Sequence, residues 1–208
     1  MSGLPKLASA LGRRDEIPNQ ELAKFLAASA DSTAIAELAE NLSNKKKDIQ
    51  SDCIKVLYEI GAIRPTLIAP HLVIFARLLG SKNNRLVWGA MTALDAVASV
   101  DLHGVYACLP QIVATADAGS VITRDHAVGI LIKMLAEPRY ADDCFALLME
   151  QLAKCPTNQL PMYAEQAAPA IGVTHKQPFI QLLSARLGEI EKESKRARVE
   201  KVIRKLGK

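Results

Sequence analysis

The chain has 208 residues, enough for one substantial core or two smaller ones. Half of it is hydrophobic and 23% is charged, a balance that excludes a disordered polyelectrolyte. Only 4% is aromatic, so Ala, Leu, Ile and Val carry the apolar content and favour closely packed helices. The net charge of +4 is concentrated: Glu189–Lys208 sets eight basic residues against four acidic ones and holds the whole excess.

In chain order, residues 1–18 read as a loosely attached lead-in, with Gly3, Pro5, Gly12 and the pair Arg13-Arg14. Met1–Asn19 lacks a basic region followed by an apolar run, and no apolar stretch approaches the ~20 residues that span a bilayer. A soluble, cytoplasmic protein that does not engage membranes is expected. Helix signals begin at Pro18, a residue suited to a first helical turn. Asn19–Ser29 and Ser32–Leu42 form a first helical pair with Asp31 as the cap between them. Alternating β-branched runs bounded by Asn-Gly or Asp-Gly are absent, so no strand is predicted.

From residue 51 onward the chain repeats itself. SDCIKVLYEIGA (51–62), WGAMTALDAVAS (88–99), DHAVGILIKMLA (125–136) and YAEQAAPAIGVT (163–174) start 37, 37 and 38 residues apart. The first three place small or apolar residues at matching offsets: Cys53, Ile54 and Leu57; Ala90, Met91 and Leu94; Ala127, Val128 and Leu131. Spacings of three and four put each set on one helical stripe. Between these helices, Pro70, Pro110 and Pro178 each precede a second helix, as proline does at a first helical turn. Gly80-Ser81, Asp101, Gly119-Ser120 and Pro138 mark the linkers. The last segment carries Ile190, Val199, Val202, Ile203 and Leu206 as an apolar stripe, so it is expected to dock as a capping helix.

Two helices per unit of this length is the HEAT/armadillo period. Asn44–Leu79 and Asn83–Asp117 resemble consecutive HEAT units, and Val121–Lys154 and Thr157–Leu187 follow the pattern more loosely. The segment NNRLVWGAMTAL also resembles small bacterial HEAT-repeat proteins. The expected fold is all-α, a right-handed α-α superhelix, or solenoid, of about five HEAT-like helical pairs. A lead-in over 1–18 precedes a single repeat domain over 19–208, with units at about 19–43, 44–81, 82–118, 119–156 and 157–188 and the capping helix at 189–207. The resemblance implies an extended binding face, usually lined by the second helix of each pair.

Catalytic patterns are missing. The chain has no nucleophile elbow, P-loop or dinucleotide turn. His71, His103, His126 and His175 stand apart, and the adjacent Asp125 and His126 point about 100° away from each other on a helix. Surface or capping roles are expected for all four. Cys53, Cys108, Cys144 and Cys155 form no Cys-x-x-Cys pair, which indicates reduced, mostly buried thiols and no metal or cofactor. A non-catalytic binding scaffold or adaptor with a protein partner is therefore expected. The alternative is DNA or RNA binding through Lys45, Lys46 and Lys47 at one helix start and Lys195, Arg196, Arg198 and Lys201 near the C-terminus. A third reading is a resemblance to alkylpurine DNA glycosylases built from HEAT-like repeats, which implies a surface of aromatic residues and an aspartate. Trp88 and Asp95, seven residues apart on one helix, are the corresponding residues, and Arg85 at the entry of that helix is a further surface candidate.

Overall fold

The computed structural model describes residues 2–208 and contains, among them, helices and turns but no strand. Twelve α-helices follow one another: α1 (Ile17–Ser29), α2 (Ser32–Glu40), α3 (Lys47–Ile63), α4 (Leu72–Leu78), α5 (Asn84–Val97), α6 (Leu102–Ala107), α7 (Leu109–Ala118), α8 (Val121–Met134), α9 (Pro138–Lys154), α10 (Leu160–Ala167), α11 (Val173–Arg186) and α12 (Glu193–Leu206). By internal packing the chain divides into two compact units, one ending at Ala127 and the other spanning Val128–Lys208.

Local chemistry sets the helix ends. Asp31, Asn83 and Asp101 each turn a side-chain oxygen back onto a backbone N–H of the helix they precede, at 3.0, 3.1 and 2.9 Å. Prolines open α1, α7, α9 and α10, where the absent N–H costs nothing. Pro70 lies in a 3-10 turn, Ala69–His71, that leads into α4. Pro178 differs. It lies inside α11, because that helix begins at Val173, after the break at Ile171-Gly172, well upstream of the proline.

In the first unit α3 is central, packing against α1, α2 and α5, with α4 on α5. Its buried stripe is Cys53, Ile54, Val56, Leu57 and Ile60, each at most 1% exposed. The matching stripe of α5 is Ala90, Met91, Leu94 and Val97, all inaccessible. The repeat offsets therefore mark core positions, and they recur in α8 at Ala127, Val128 and Leu131. In the second unit α10 packs on α9 and α12, and α11 on α9 and α12. Ile190, Val199, Val202 and Leu206 are buried, so the capping helix docks through the stripe its sequence shows.

The segment before α1 is anchored, contrary to the loose lead-in its composition suggests. Leu7 and Ala8 are buried. Ala8 N–H donates to Oδ1 of the buried Asn19 (3.0 Å), Asn19 Nδ2 donates to Asp52 Oδ1 (2.7 Å), and Ser9 N–H donates to Asp52 Oδ2 (2.8 Å). One aspartate of α3 thus ties down both the segment and the start of α1. Asp52 and Asn19 lie far apart in sequence, which hides this anchor from any local reading.

Candidate functional site

The repeat that builds the core also builds a groove. Advancing by 37 residues takes Asp48 to Arg85 and then Ile122, Ser51 to Trp88, and Lys55 to Thr92. These positions lie three, four or seven residues apart, so they share one face of α3, α5 and the start of α8. All of them line two adjoining cavities of the first unit. The inner cavity, about 320 Å³, is bounded mainly by Lys55 and Tyr58 of α3, Arg85, Trp88 and Thr92 of α5, and Glu16. The outer one, about 440 Å³, lies between residues 8–16 and the first turns of α3. Glu16, Ser51 and Arg85 border both, making one continuous trough. Trp88, the only tryptophan of the chain, stands over it with 37% of its surface exposed.

A charge network closes one side. Lys55 Nζ lies 2.9 Å from Glu16 Oε2 and 2.8 Å from Glu59 Oε1, with its side chain only 9% exposed. The ammonium also sits over the Tyr58 ring, 4.9 Å from the centroid. Burial alone would lower the Lys55 pKa, but hydrogen bonds to Glu59, Tyr58 and Glu16 outweigh it and the net shift is upward. The second oxygen of Glu16 receives Nη2 of Arg85. One carboxylate from the loop before α1 therefore holds cations from two successive repeats.

A second network lies behind the first. His126 Nδ1 is 2.9 Å from Asp95 Oδ2, its Nε2 is 2.9 Å from Thr92 Oγ1, and Thr92 Oγ1 is 2.9 Å from the Trp88 carbonyl, to which it donates. Nδ1–H must face the carboxylate. A neutral ring then leaves Nε2 as an acceptor, and the single Thr92 proton must divide between Nε2 and the Trp88 carbonyl. Although carboxylate, imidazole and hydroxyl stand in line, Thr92 is mid-helix, where backbone N–H groups serve the helix rather than an oxyanion. The arrangement orients Thr92 at the cavity wall.

The residues singled out in the sequence fall in three places. Arg85 and Trp88 line the trough, whereas Asp95 faces His126 two turns beyond Trp88 along α5. Lys45, Lys46 and Lys47 are exposed around the start of α3. Lys195, Arg196, Arg198 and Lys201 belong to α12 in the second unit. There the cations are largely engaged. Arg196 donates through Nε and Nη2 to the Ile190 carbonyl at 3.2 and 2.9 Å. Arg198 forms a two-point pair with Glu165, whose carboxyl it holds below the usual glutamate value, and Lys195 Nζ reaches the Asn158 carbonyl at 3.5 Å. Lys201 stays exposed.

Sequence reasoning missed Glu16, Lys55, Tyr58, Thr92 and His126. The repeat register would have pointed to Lys55 and Thr92, since they occupy the same place in successive units. In the second unit His175 stacks on Phe145, 4.0 Å between centroids, and contacts Asp142 at 2.9 Å. Arg186 Nη1 donates to the Leu152 and Cys155 carbonyls that end α9, a structural role. Burial pushes the Cys53 thiol up to about 12 and that of Cys144 to about 11. Among the described residues no three His, Cys, Asp or Glu side chains cluster as a metal site, and no helix is long and apolar enough to cross a membrane.

No family model matches the chain, and no curated protein sequence does. Solved structures do. A computationally designed armadillo repeat protein for modular peptide recognition superposes with a TM-score of 0.68 at 15% identity, covering 98% of this chain and 99% of its own. A designed armadillo repeat protein in complex with the peptide (KR)4 gives 0.67 at 15% identity with full coverage of both chains. The archaeal HEAT-like repeats protein of Thermococcus onnurineus NA1 gives 0.52 at 12% identity, covering 93% of this chain and 97% of its own. At such identities the likeness speaks for the fold, and the chain has the all-α, HEAT/armadillo-like helical-repeat fold.

Proposed function

We propose that this protein is a non-catalytic binding scaffold whose trough across α3 and α5 takes an extended segment of another protein. The observation that carries the reading is the trough itself, lined by corresponding positions of successive repeats and centred on Trp88 and Arg85. Exposed Trp, Tyr and Arg side chains in a concave site are the residue types on which binding energy concentrates. The designed armadillo proteins of similar fold, one made for peptide recognition and one bound to a peptide, lend this use support. Nucleic-acid binding through α12 has less behind it, because Arg196 and Arg198 are committed to partners of their own unit.

Selection from a random peptide library against the wild-type chain and against Trp88→Ala tests the reading. Peptides enriched by the wild type should bind the variant at least about tenfold more weakly, as expected for loss of an aromatic anchor. Equal enrichment by both proteins would remove the trough from consideration.

A further inference from the structure

We propose that Glu16 is an internal placeholder in the trough, and that the segment the trough binds brings a carboxylate side chain to the place between Lys55 and Arg85 that Glu16 now fills. This inference rests on the trough being a peptide site and names the chemistry of its ligand.

Four observations carry it. Glu16 occupies the N-cap position of α1 but makes no capping hydrogen bond with its side chain, which reaches across the trough instead. There its two oxygens meet cations 39 and 69 positions further along the chain, Lys55 on one and Arg85 on the other. Glu16 is itself 42% exposed and Arg85 55% exposed, so both can part without disturbing the core. Lys55, nearly buried, keeps Glu59 when Glu16 leaves and is not left as a bare charge.

The remaining charges favour an acid over a base as the arriving group. Asp52 is occupied by Asn19 and Ser9, Asp15 by Arg13, and Glu59 by Lys55. Asp15 and Asp48 are the exposed carboxylates of the outer cavity, whose lining also holds Arg14 and Arg85, and of the two Asp15 is already paired with Arg13. Departure of Glu16 therefore uncovers a forked guanidinium and an ammonium beside two aromatic rings. A planar carboxylate fits that fork at two points, and an aliphatic stem can lie on Trp88. A tethered carboxylate lowers apparent affinity by the fraction of time it holds the site, and its removal returns that factor.

The test uses the full chain and the emission of Trp88, its sole tryptophan. Wild type, Glu16→Gln and Arg85→Gln, each checked for helical content by circular dichroism, are titrated with a short peptide alternating Glu and Ser. The same peptide with Gln or Lys in place of Glu, and inorganic phosphate, serve as comparison ligands. The expected result is binding of the acidic peptide about three- to tenfold tighter by Glu16→Gln than by wild type. No such gain should appear with the Gln peptide, and Arg85→Gln should lose most of the affinity. Equal affinity of wild type and Glu16→Gln, with Trp88 still responding, would overturn the placeholder and leave the peptide site standing. Tighter binding of the Lys peptide, or a gain for phosphate matching that for the acidic peptide, would overturn the assignment to an acidic segment. No Trp88 response to any peptide in any of the three proteins would overturn the peptide site and the inference with it.

Discussion

Ala30 ends α1 with φ of 53°, the left-handed region where a Cβ meets the following carbonyl. Glycine is the usual residue there, so Ala30→Gly should stabilise the fold by about 0.5–1 kcal/mol, read from chemical denaturation. Gly89 shows the opposite constraint. A Cβ at Gly89 would lie 2.3 Å from Cγ1 of the buried Ile54, where α5 packs on α3. Gly89→Ala should therefore destabilise by about 1–3 kcal/mol through overpacking. Gly61→Ala, which meets Cδ1 at the far end of the Ile68 side chain rather than a branch point, should cost less. The thiols follow burial in the same way. Cys108, the one half-exposed cysteine, should be alkylated first in the native protein at mildly alkaline pH. Cys53 and Cys144, with thiols pushed up to about 12 and 11, should react only after unfolding, which mass spectrometry of time points would reveal.

At the scale of elements, most helices were legible because their ends are set within a few residues. Asp31, Asn83 and Asp101 act on the backbone two or three positions away, and the opening prolines act on their own turn. Pro178 misled because proline also survives inside a helix, here near the surface of α11. Its missing N–H leaves the Thr174 carbonyl without a helical partner, so Pro178→Ala should raise stability by about 1–2 kcal/mol, net of the unfolded-state entropy it restores. The link between α10 and α12 has a pH signature. Arg198 beside Glu165 holds that carboxyl below its usual value of 4.5. A depressed folded-state pKa means the stabilisation is present above the unfolded value and is lost as pH falls through the folded one. The pair is exposed, so about 0.2–1 kcal/mol is at stake. The stability difference between wild type and Glu165→Gln should shrink by that amount on acidification.

At the scale of the whole molecule, period and composition together disclosed the helical repeat, and the similar solved structures bear it out. The site was only half legible. Trp88 was singled out as the sole tryptophan beside a glycosylase resemblance and Arg85 as the entry residue of the same helix, and both line the trough. Glu16, Lys55 and His126 were not, because their partnerships join residues 31 to 69 positions apart and exist only once repeats stack. The basic C-terminal stretch drew notice by density of charge, but density does not reveal that Arg196 and Arg198 are engaged with partners of their own unit. Hydrogen–deuterium exchange of the full chain, with and without a library-selected peptide, tests the binding account most directly. The account predicts protection of α3, α5 and residues 8–16, with α12 unchanged. Protection confined to α12 and the Lys45–Lys47 turn would contradict it and assign binding to the basic clusters instead.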